Sequence, residues 1–360
     1  MNTDQFLVTP ALKSIEKVSF TWQTPSNIAL VKYWGKSNPQ IPKNASISFT
    51  LSNSNTTTKI DFVKKQNTTN QVDFDLIFEG KPKPEFKPKI EEFFNRIQNY
   101  CPYVFDYKMI ISSENSFPHS SGIASSASGL SAIAMCLLSL ENELVADLSK
   151  EYITKKASFL ARLGSGSASR SIEGPIVVWG NHPEIEGSSD LFGVKFPHNV
   201  HPVFENYQDV ILLVDKGEKQ VSSTVGHGLM HNHPYAETRF KQANENLILL
   251  SEVLQNGNLE KFINIVESEA LTLHAMMMTS NPYFILMKPN TLEIINRIWS
   301  YRQENQSNIC FTLDAGANVH VLFPEIEKTK IMQFIDNELS RFCQKKHYIC
   351  DNTGLGARQL

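Results

Sequence analysis

The sequence predicts an α+β fold arranged in two lobes. Segments typical of β-strands dominate the first half of the 360-residue chain, whereas helical periodicity dominates much of the second half. The segment FPHNVHPVF, at residues 196–204, interrupts both patterns. We therefore expect one lobe over residues 1–200 and another over residues 201–360, because a chain of this length exceeds one small domain.

Strands in the first half are indicated by alternating or short apolar runs. Residues 45–52, ASISFTLS, place Ile47, Phe49 and Leu51 on one face, as in a strand with one buried side. The segment Lys81–Lys89 contains three prolines, which exclude a regular helix or a central strand. This basic segment forms either a phosphate-binding arm or, as we favour, a solvated loop. Further strands are predicted over residues 17–22, 28–34, 56–63, 72–78, 105–112, 176–179, 210–214, 309–313 and 319–322.

Helices are indicated by apolar residues that recur every three to four positions. From Ser125 onward, this pattern includes Leu130, Ile133 and Leu137. Other helices are predicted over residues 90–100, 150–163, 236–278, 290–303 and 328–342. Together with the strands, they give the mixed composition of an α+β protein.

Charge and cysteine content narrow the class of protein. With 34 Lys and Arg residues against 37 Asp and Glu residues, the net charge is −3, which disfavours non-specific nucleic-acid binding. The five cysteines are scattered and have no metal-ligand spacing, which predicts a reducing compartment and no metal site. We expect a cytoplasmic protein with no membrane association, because we find neither a secretion signal nor an apolar run of about 20 residues.

The segment PHSSGIASSASG, at residues 118–129, combines glycine and serine with the start of an apolar helix. Glycine lets the backbone approach a ligand closely, and the free N–H groups of a helix N-terminus favour an anion. The segment matches neither GxxxxGK[ST] nor GxGxxG. Composition alone supports two interpretations equally: a phosphate-binding loop, or a helix start packed tightly against a sheet.

Three further segments place a charged residue beside glycine or an apolar strand. In Gly164–Arg170, three hydroxyl groups and a guanidinium suit an oxyanion, although a plain surface turn is the simpler interpretation. Lys32 ends an apolar strand, where it either meets an anion or extends its ammonium group to solvent. Asp314 follows a strand, where it either forms a turn or faces a site.

The order of these motifs resembles that of one enzyme family. NIALVKYWGK, SISFTLS, FPHSSGIASSASG, ARLGSGSASRSIEG, VSSTVGH and TLDAGANVHVL follow one another as in the diphosphomevalonate decarboxylases, a branch of the GHMP kinase superfamily. KYWGK and GSGSASRS are characteristic of the decarboxylases, whereas the pattern P-x3-G-x-x-SSA is shared with the kinases. The resemblance covers about residues 27–320, most of the chain.

The resemblance implies a GHMP-kinase-like fold, with a ribosomal protein S5 domain 2-like N-terminal lobe that binds ATP and a ferredoxin-like C-terminal lobe. It implies ATP-dependent decarboxylation of mevalonate 5-diphosphate to isopentenyl diphosphate, in the mevalonate pathway of isoprenoid biosynthesis. ATP and Mg2+ are the implied cofactors, the ion being held by phosphates with few protein ligands. A homodimer is the implied assembly.

The resemblance also implies roles for individual residues. Asp314 is expected to act on the 3-hydroxyl group as general base or orienting group, Lys32 to pair with Asp314, and Arg170 to bind the substrate carboxylate. Substrate contacts are also implied for Tyr33, Lys36, Ser165, Ser167 and Ser223. Contacts to the ATP phosphates are implied for Ser120, Ser121, Gly122, Ile123, Ala124, Ser125 and Ser126.

The chain departs from the family pattern at several histidines. His119 precedes the serines of the phosphate loop, and His227 stands where the family commonly has methionine. His231 and His233 follow His227. His227, His231 and His233 either bind a metal or, as we favour, lie on a solvated loop beside the substrate. The Asn- and Ser-rich segment Ser52–Thr58 is a candidate for a loop beside adenine.

Two other functions stay open from the sequence. One is a GHMP kinase without decarboxylation, such as a mevalonate 3-kinase, or an enzyme acting on a phosphomevalonate. The other is a catalytically silent binding protein. The set Lys32, Asp314 and Arg170 favours the decarboxylase, and Tyr33 and Lys36 favour a diphosphate substrate.

Overall fold

The computed structural model describes residues 2–8, 13–67, 71–118, 123–215 and 223–360, the side chains of Ser223 and Thr224 excepted. Its strands are β1 (Lys17–Val31), β2 (Lys36–Ser37), β3 (Ile41–Pro42), β4 (Ser46–Lys64), β5 (Asp73–Phe78), β6 (Lys81–Pro82), β7 (Tyr107–Asn115), β8 (Ile176–Trp179), β9 (Gly193–Lys195), β10 (Gln208–Leu212), β11 (Cys310–Thr312), β12 (Val319–Phe323), β13 (Tyr348–Asn352) and β14 (Arg358–Gln359). Its helices are α1 (Lys87–Ile97), α2 (Ser125–Val145), α3 (Lys150–Gly164), α4 (Ser223–Gly228), α5 (Ala236–Asn256), α6 (Leu259–Met278), α7 (Pro289–Asn305) and α8 (Lys328–Phe334).

The first sheet is built around two long antiparallel strands. β1 pairs with β4 from Lys17, opposite Val63, to Val31, opposite Ile47. The sheet has the order β14-β1-β4-β7-β5-β6, and β8 joins β4 while β9 joins β8. The sequence predicted two shorter strands in each long segment, which was wrong because the pairing continues through a register shift just after Pro25. A bulge accommodates proline, which has no N–H group to donate.

The segment Ser52–Thr58 is therefore part of β4 and not a loop, contrary to the sequence prediction. Its two ends are tied to neighbouring elements. The N–H groups of Asn53 and Ser54 donate to the Asp351 carboxylate at 2.8 and 2.7 Å. The Thr56 hydroxyl lies 2.6 Å from that of Ser128 in α2. Extended pairing and these bonds together satisfy the polar groups of a segment that is rich in turn-forming residues.

Helix α2 packs against β1 and β4, as its apolar pattern predicts. Small residues allow a close approach: the Thr24 hydroxyl donates to the Ser128 carbonyl at 2.6 Å, and the Ser131 hydroxyl donates to the carbonyl of Ala168 at 2.8 Å. By length and composition alone α2 could cross a membrane, contrary to the prediction that no segment approaches that length. Most of the helix is buried inside the fold, as in the core helix of a globular domain.

The second sheet has the antiparallel order β11-β12-β10-β13. Helices α5, α6 and α7 lie between β10 and β11 in the chain, and α8 lies between β12 and β13. This is the βαββαβ connectivity of a ferredoxin-like lobe with additional helices. The structure thus confirms the predicted α+β class and the predicted ferredoxin-like second lobe.

The helical pattern predicted over residues 236–278 is divided into two helices. Gly257 adopts a φ of 77°, a left-handed conformation that ends α5. Asn258 then caps α6 by accepting a hydrogen bond from the N–H group of Lys261 at 3.0 Å. The predicted helix over residues 328–342 is α-helical only to Phe334 and continues as π- and 3-10-helical turns.

A shared hydrophobic core joins the two lobes. Ile28 and Phe49 from the first sheet pack in one cluster with Leu247 and Phe262 from α5 and α6. At the end of the chain, β14 returns to the first sheet and pairs antiparallel with β1. The ends of β1, α2 and β11 consequently surround one cleft.

Candidate active site

The cleft has a volume of about 620 Å³ and brings together segments that are far apart in the sequence. Most of the predicted site residues line it. They are Lys32, Tyr33, Lys36, Ile123, Ala124, Ser125, Ser126, Ser165, Ser167, Arg170 and Asp314. Ser120, Ser121 and Gly122, with His119, lie outside the described residues, and so does the side chain of Ser223 at the start of α4.

Lys32 and Asp314 form an ion pair in the cleft. Lys32 follows the last residue of β1, and its Nζ lies 3.0 Å from Oδ1 of Asp314, just beyond β11. Lys32 is 2% exposed and Asp314 is 30% exposed, so the carboxylate is the more open partner. Burial lowers the pKa of Lys32, and the negative charge of Asp314 opposes that shift. The pair supplies a carboxylate held in place by a desolvated ammonium group.

The backbone of Lys32 is fixed from the second lobe. Its N–H group donates to Oε2 of Glu269 in α6 at 2.8 Å, and its carbonyl accepts from Asn44 at 3.0 Å. Glu269 is fully buried and forms a bidentate ion pair with Arg239. Asn246 adds a third contact, donating to Glu269 Oε1 at 2.6 Å. Glu269 was not among the predicted site residues, although a glutamate on the apolar face of α6 is an identifiable signal.

The backbone of Asp314 has a contact of its own from α6. The Nε2 atom of His274 lies 3.1 Å from the carbonyl oxygen of Asp314. His274 is 1% exposed, and burial lowers its pKa to about 4. An uncharged His274 therefore donates this hydrogen bond at neutral pH. Helix α6 contacts both members of the Lys32–Asp314 pair, and no motif in the sequence marks His274.

Arg170 lies in a short 3-10 helix, Gly166–Ser171, and is 3% exposed. Its Nε donates to Oδ1 of Asn27 at 3.3 Å, and its Nη1 donates to the Ser46 hydroxyl. Burial lowers its pKa to about 10, and no carboxylate among the described residues forms an ion pair with it. A buried guanidinium held by neutral groups, on the wall of a cleft, is suited to bind an anionic ligand.

The part of the cleft next to Arg170 carries aromatic and hydroxyl groups, and the Arg170 guanidinium lies 5.8 Å from the centroid of the Trp179 ring. The Tyr33 ring lies 4.7 Å from the Trp179 ring, centroid to centroid, and burial raises the pKa of Tyr33. Lys36 Nζ donates to Oε1 of Gln40 at 2.8 Å. The half-buried residues Ser165 and Ser167 follow α3 on the same wall. These groups offer hydrogen-bond donors next to a positive charge.

The beginning of α2 forms another wall. Ser125 and Ser126 occupy its first turn, and Ala124 precedes it without a side-chain cap. The first N–H groups of a helix have no partner within the helix, and the helix dipole favours a negative charge there. The structure confirms the close packing of the small residues in this segment. The helix start also lines the cleft, as the phosphate-binding interpretation requires, and that interpretation stays a prediction.

Two of the three clustered histidines are buried, so the predicted solvated loop was wrong for them. His227 and His233 are each 7% exposed, whereas His231 is exposed. His227 Nδ1 lies 2.9 Å from the Gly35 nitrogen, and His233 Nε2 lies 3.1 Å from the Met276 carbonyl oxygen. Across the part of the chain that the structure describes, no three metal-ligating side chains converge.

Comparison with known proteins gives consistent matches along the chain. A model of the diphosphomevalonate decarboxylase-like N-terminal domain matches residues 24–190, and one of the mevalonate 5-diphosphate decarboxylase C-terminal domain matches residues 209–355. The diphosphomevalonate decarboxylase of Ganoderma lucidum is 28% identical over 335 residues, which are 88% of this chain and 80% of that protein.

Solved structures are similar over nearly the whole chain. Mevalonate diphosphate decarboxylase from Staphylococcus aureus superposes with a TM-score of 0.81 at 26% identity, covering 96% of this chain and 98% of that one. A structure described as MDDEF in complex with MVAPP, AMPPCP and magnesium also has a TM-score of 0.81, at 27% identity, and the coverages are 96% and 99%. These matches confirm the predicted GHMP-kinase-like two-lobed fold.

Proposed function

Because the chain belongs to the diphosphomevalonate decarboxylase family, we propose that its cleft converts mevalonate 5-diphosphate and ATP to isopentenyl diphosphate, ADP, phosphate and CO2. The observation that carries the proposal for this site is the Lys32–Asp314 pair, 3.0 Å apart, in the same cleft as the buried Arg170. These three residues come from segments that adjoin β1, β11 and α3, and the fold brings them together.

The chemistry requires a better leaving group than hydroxide at the tertiary C3 carbon. Phosphorylation of the 3-hydroxyl supplies that group. When the phosphate departs, positive charge develops at C3, and the electrons of the breaking bond between C2 and the carboxyl carbon form the double bond. CO2 leaves at the same step. The protein must therefore orient the hydroxyl group, hold the carboxylate and stabilise several phosphates.

Asp314 would orient the 3-hydroxyl group and take its proton. A carboxylate is a weak base, so its position contributes more than its basicity. Lys32 keeps Asp314 ionised and places a positive charge beside the transferred phosphoryl group. The hydrogen bonds of Lys32 to Glu269 and of Asp314 to His274 fix the backbone on both sides of this pair.

Arg170 would bind the substrate carboxylate. Its contacts with Asn27 and Ser46 leave its Nη2 group without a partner among the described residues. A planar guanidinium suits a carboxylate, and its burial strengthens the interaction. Holding the carboxylate rigidly aligns the bond that breaks when CO2 is lost.

The 5-diphosphate would lie beside Tyr33 and Lys36. Ser165 and Ser167 provide hydroxyl groups on this wall, and the family resemblance adds Ser223 from the start of α4. A diphosphate carries more charge than any other part of the substrate, so donors around one lysine suit it. Their position in the same cleft as Arg170 supports binding of both ends of one small molecule.

The ATP phosphates would lie at the start of α2, next to Ile123, Ala124, Ser125 and Ser126, with the family's loop residues Ser120, Ser121 and Gly122. A structural neighbour of this chain is described as a complex with AMPPCP and magnesium, which supports ATP binding by this fold. The positive end of the α2 helix dipole is suited to phosphate oxygens, although the N–H groups of Ser125 and Ala127 already donate to the carbonyl groups of Ile123 and Ala124.

The donor set of the cleft also fits Mg2+. Asp314 and Glu85 are the acidic residues among the described cleft-lining residues, and Glu85 pairs with Lys83 at 2.8 Å. Mg2+ keeps several waters and is commonly held by nucleotide phosphates with one or two protein ligands. Hydroxyl groups of Ser125 and Ser126 would hold the ion, which would neutralise phosphate charge when bound.

A stoichiometric assay tests the function. The enzyme is supplied with ATP, Mg2+ and mevalonate 5-diphosphate, and ADP and CO2 are measured in the same reaction. Equal amounts of both are expected. ADP without CO2 would replace the proposal with a GHMP kinase, and release of neither product would indicate a binding protein. Mevalonate 5-phosphate serves as the comparison substrate.

The assembly, the location and the lobe boundary are further parts of the proposal. We infer a homodimer, which the family resemblance supports and which sedimentation of the purified chain would test.

We infer a cytoplasmic location, supported by five cysteines without disulfide bonds, and fractionation of cells would test it. We place the lobe boundary at residue 200, between the two matched regions, and limited proteolysis would locate it.

A further inference from the structure

His227 lies in the cleft, next to Tyr33 and Trp34. Its ring lies 4.3 Å from that of Tyr33 and 4.4 Å from that of Trp34, measured between centroids. Helix α4, which carries His227, presses closely on Trp34: a Cβ atom built on Gly226 would lie 2.6 Å from that ring. The imidazole is therefore fixed in orientation, and it lines the cleft together with Tyr33 and Lys36.

One nitrogen of this ring has a defined role. The backbone N–H group of Gly35 points to Nδ1 of His227, at 2.9 Å. Because the amide must donate, Nδ1 accepts, and the proton of the neutral ring is on Nε2. Gly35 itself has a φ of 96°, and a Cβ there would lie 2.8 Å from Phe240, so the amide direction is strictly set.

The other nitrogen is left available. Nε2 of His227 has no hydrogen-bond partner among the described residues. It is not among the fully buried polar atoms, so part of its surface is accessible. Since it is neither bonded nor fully enclosed, it is reached from the cleft. Burial and the nearby Lys36 also lower the pKa of His227 to about 3, which keeps the ring neutral at physiological pH.

We propose that His227 binds the substrate directly, donating a hydrogen bond from Nε2 to a diphosphate oxygen that lies between Tyr33 and Lys36. This proposal rests on the proposed function for the identity of the ligand, and it adds His227 to the substrate-binding residues. The family pattern commonly has methionine here, whose thioether can neither accept strongly from Gly35 nor donate to an oxyanion. His227 thus supplies a hydrogen-bond donor that a methionine at this position would not supply.

Three substitutions of His227 distinguish the role of Nδ1 from that of Nε2. His227→Asn retains an acceptor near the Nδ1 position but no donor at the far edge of the ring. His227→Gln extends an amide donor toward the Nε2 position, and His227→Met retains neither function. His231→Gln, on the exposed side of the same region, is the matched control.

Calorimetric titration with mevalonate 5-diphosphate, without ATP, gives the first measurement. We expect Kd to rise about tenfold for His227→Asn and His227→Met, as for loss of one hydrogen bond to a charged oxygen. His227→Gln is expected to bind within about threefold of the unmodified enzyme because it restores a donor. In steady-state assays, KM should rise with kcat nearly constant.

Nitrogen NMR of the histidine-labelled enzyme gives the second measurement. The free enzyme should show the Nε2-protonated neutral tautomer of His227, and addition of mevalonate 5-diphosphate should shift the Nε2 signal more than the Nδ1 signal. If His227→Met weakens binding while His227→Asn binds normally, the contact with Gly35 is the whole role and the proposal is overturned.

Unchanged binding by all three variants would also overturn the proposal. The calorimetric test is independent of turnover: an enzyme that binds mevalonate 5-diphosphate through His227 but releases no CO2 would contradict the proposed reaction and leave this inference supported.

Discussion

Glu269 accepts a hydrogen bond of 2.8 Å from the backbone N–H group of Lys32, and this bond joins the two lobes at the active site. Glu269 is held in turn by Arg239, with which it forms a fully buried ion pair. The Glu269–Arg239 ion pair therefore positions the backbone of Lys32, whose side chain pairs with Asp314. Changes at Glu269 should consequently affect both stability and catalysis.

Glu269→Gln should destabilise the protein by about 3–5 kcal/mol, because it leaves Arg239 buried without its carboxylate partner. Denaturant unfolding measures this effect. Glu245→Gln is the matched control, since Glu245 forms an exposed pair with Lys241 in α5 and should change stability by less than about 0.5 kcal/mol. Equal stability of the two variants would contradict a structural role for the buried pair.

Asp314→Asn should lower kcat by about 100-fold or more, the usual contribution of a positioned acid or base. The variant should still fold, because burial lowers the pKa of Lys32 and this group can lose its proton when its partner is removed, and circular dichroism would verify the fold. Asp61→Asn, at a partly exposed pair with Lys59, is the control and should keep full activity. A near-normal rate for Asp314→Asn would refute its assignment to the 3-hydroxyl group.

Arg170→Lys should impair the enzyme nearly as much as Arg170→Gln, although it keeps a positive charge. A lysine cannot reproduce the planar fork that bonds Asn27 and Ser46 while facing a carboxylate. We expect kcat/KM to fall about 100-fold in both variants, equivalent to about 2.7 kcal/mol of transition-state stabilisation. Full activity of Arg170→Lys would show that charge alone is sufficient, and Arg341→Lys on the surface is the control.

Stability should fall in mild acid through His274. Its pKa is about 4 in the folded protein, lowered by burial, against about 6.5 in the unfolded chain. Between these values the unfolded chain binds a proton that the folded protein does not, so the free energy of unfolding decreases as the pH falls. At pH 5 the loss is about 2 kcal/mol relative to neutral pH.

Urea unfolding between pH 7 and pH 5 measures this dependence. His274→Gln keeps a donor for the carbonyl of Asp314 without titrating. Between pH 7 and pH 5, its free energy of unfolding should decrease by about 2 kcal/mol less than that of the unmodified protein. His198→Gln, at an exposed histidine, is the matched control and should leave the slope unchanged. An unaltered slope in His274→Gln would contradict the prediction.

The residues that carry charge in the motifs could be found from the sequence. Lys32 ends an apolar strand and Asp314 begins a turn after another, and the motif order indicated that the two would meet. The structure places them 3.0 Å apart. In such cases the local pattern itself is unusual, because a charge adjoins a buried strand.

The partners of these residues could not be found in the same way. Glu269 lies 237 positions from Lys32, and His227 lies 192 positions from Gly35. Their contacts depend on how α4 and α6 pack against the end of β1, which no local pattern records. Likewise, Pro25 and the polar segment Ser52–Thr58 resemble strand breaks, but pairing with the neighbouring strands overrides their low strand propensity.

The final strand has a consequence for the mechanics of the enzyme. β14 pairs Gln359 with Trp22 and Arg358 with Gln23, so the polypeptide leaves the first lobe once and comes back to it. The second lobe is consequently tethered at both of its ends, like an inserted domain. A tag fused after Leu360 would therefore extend from the first lobe.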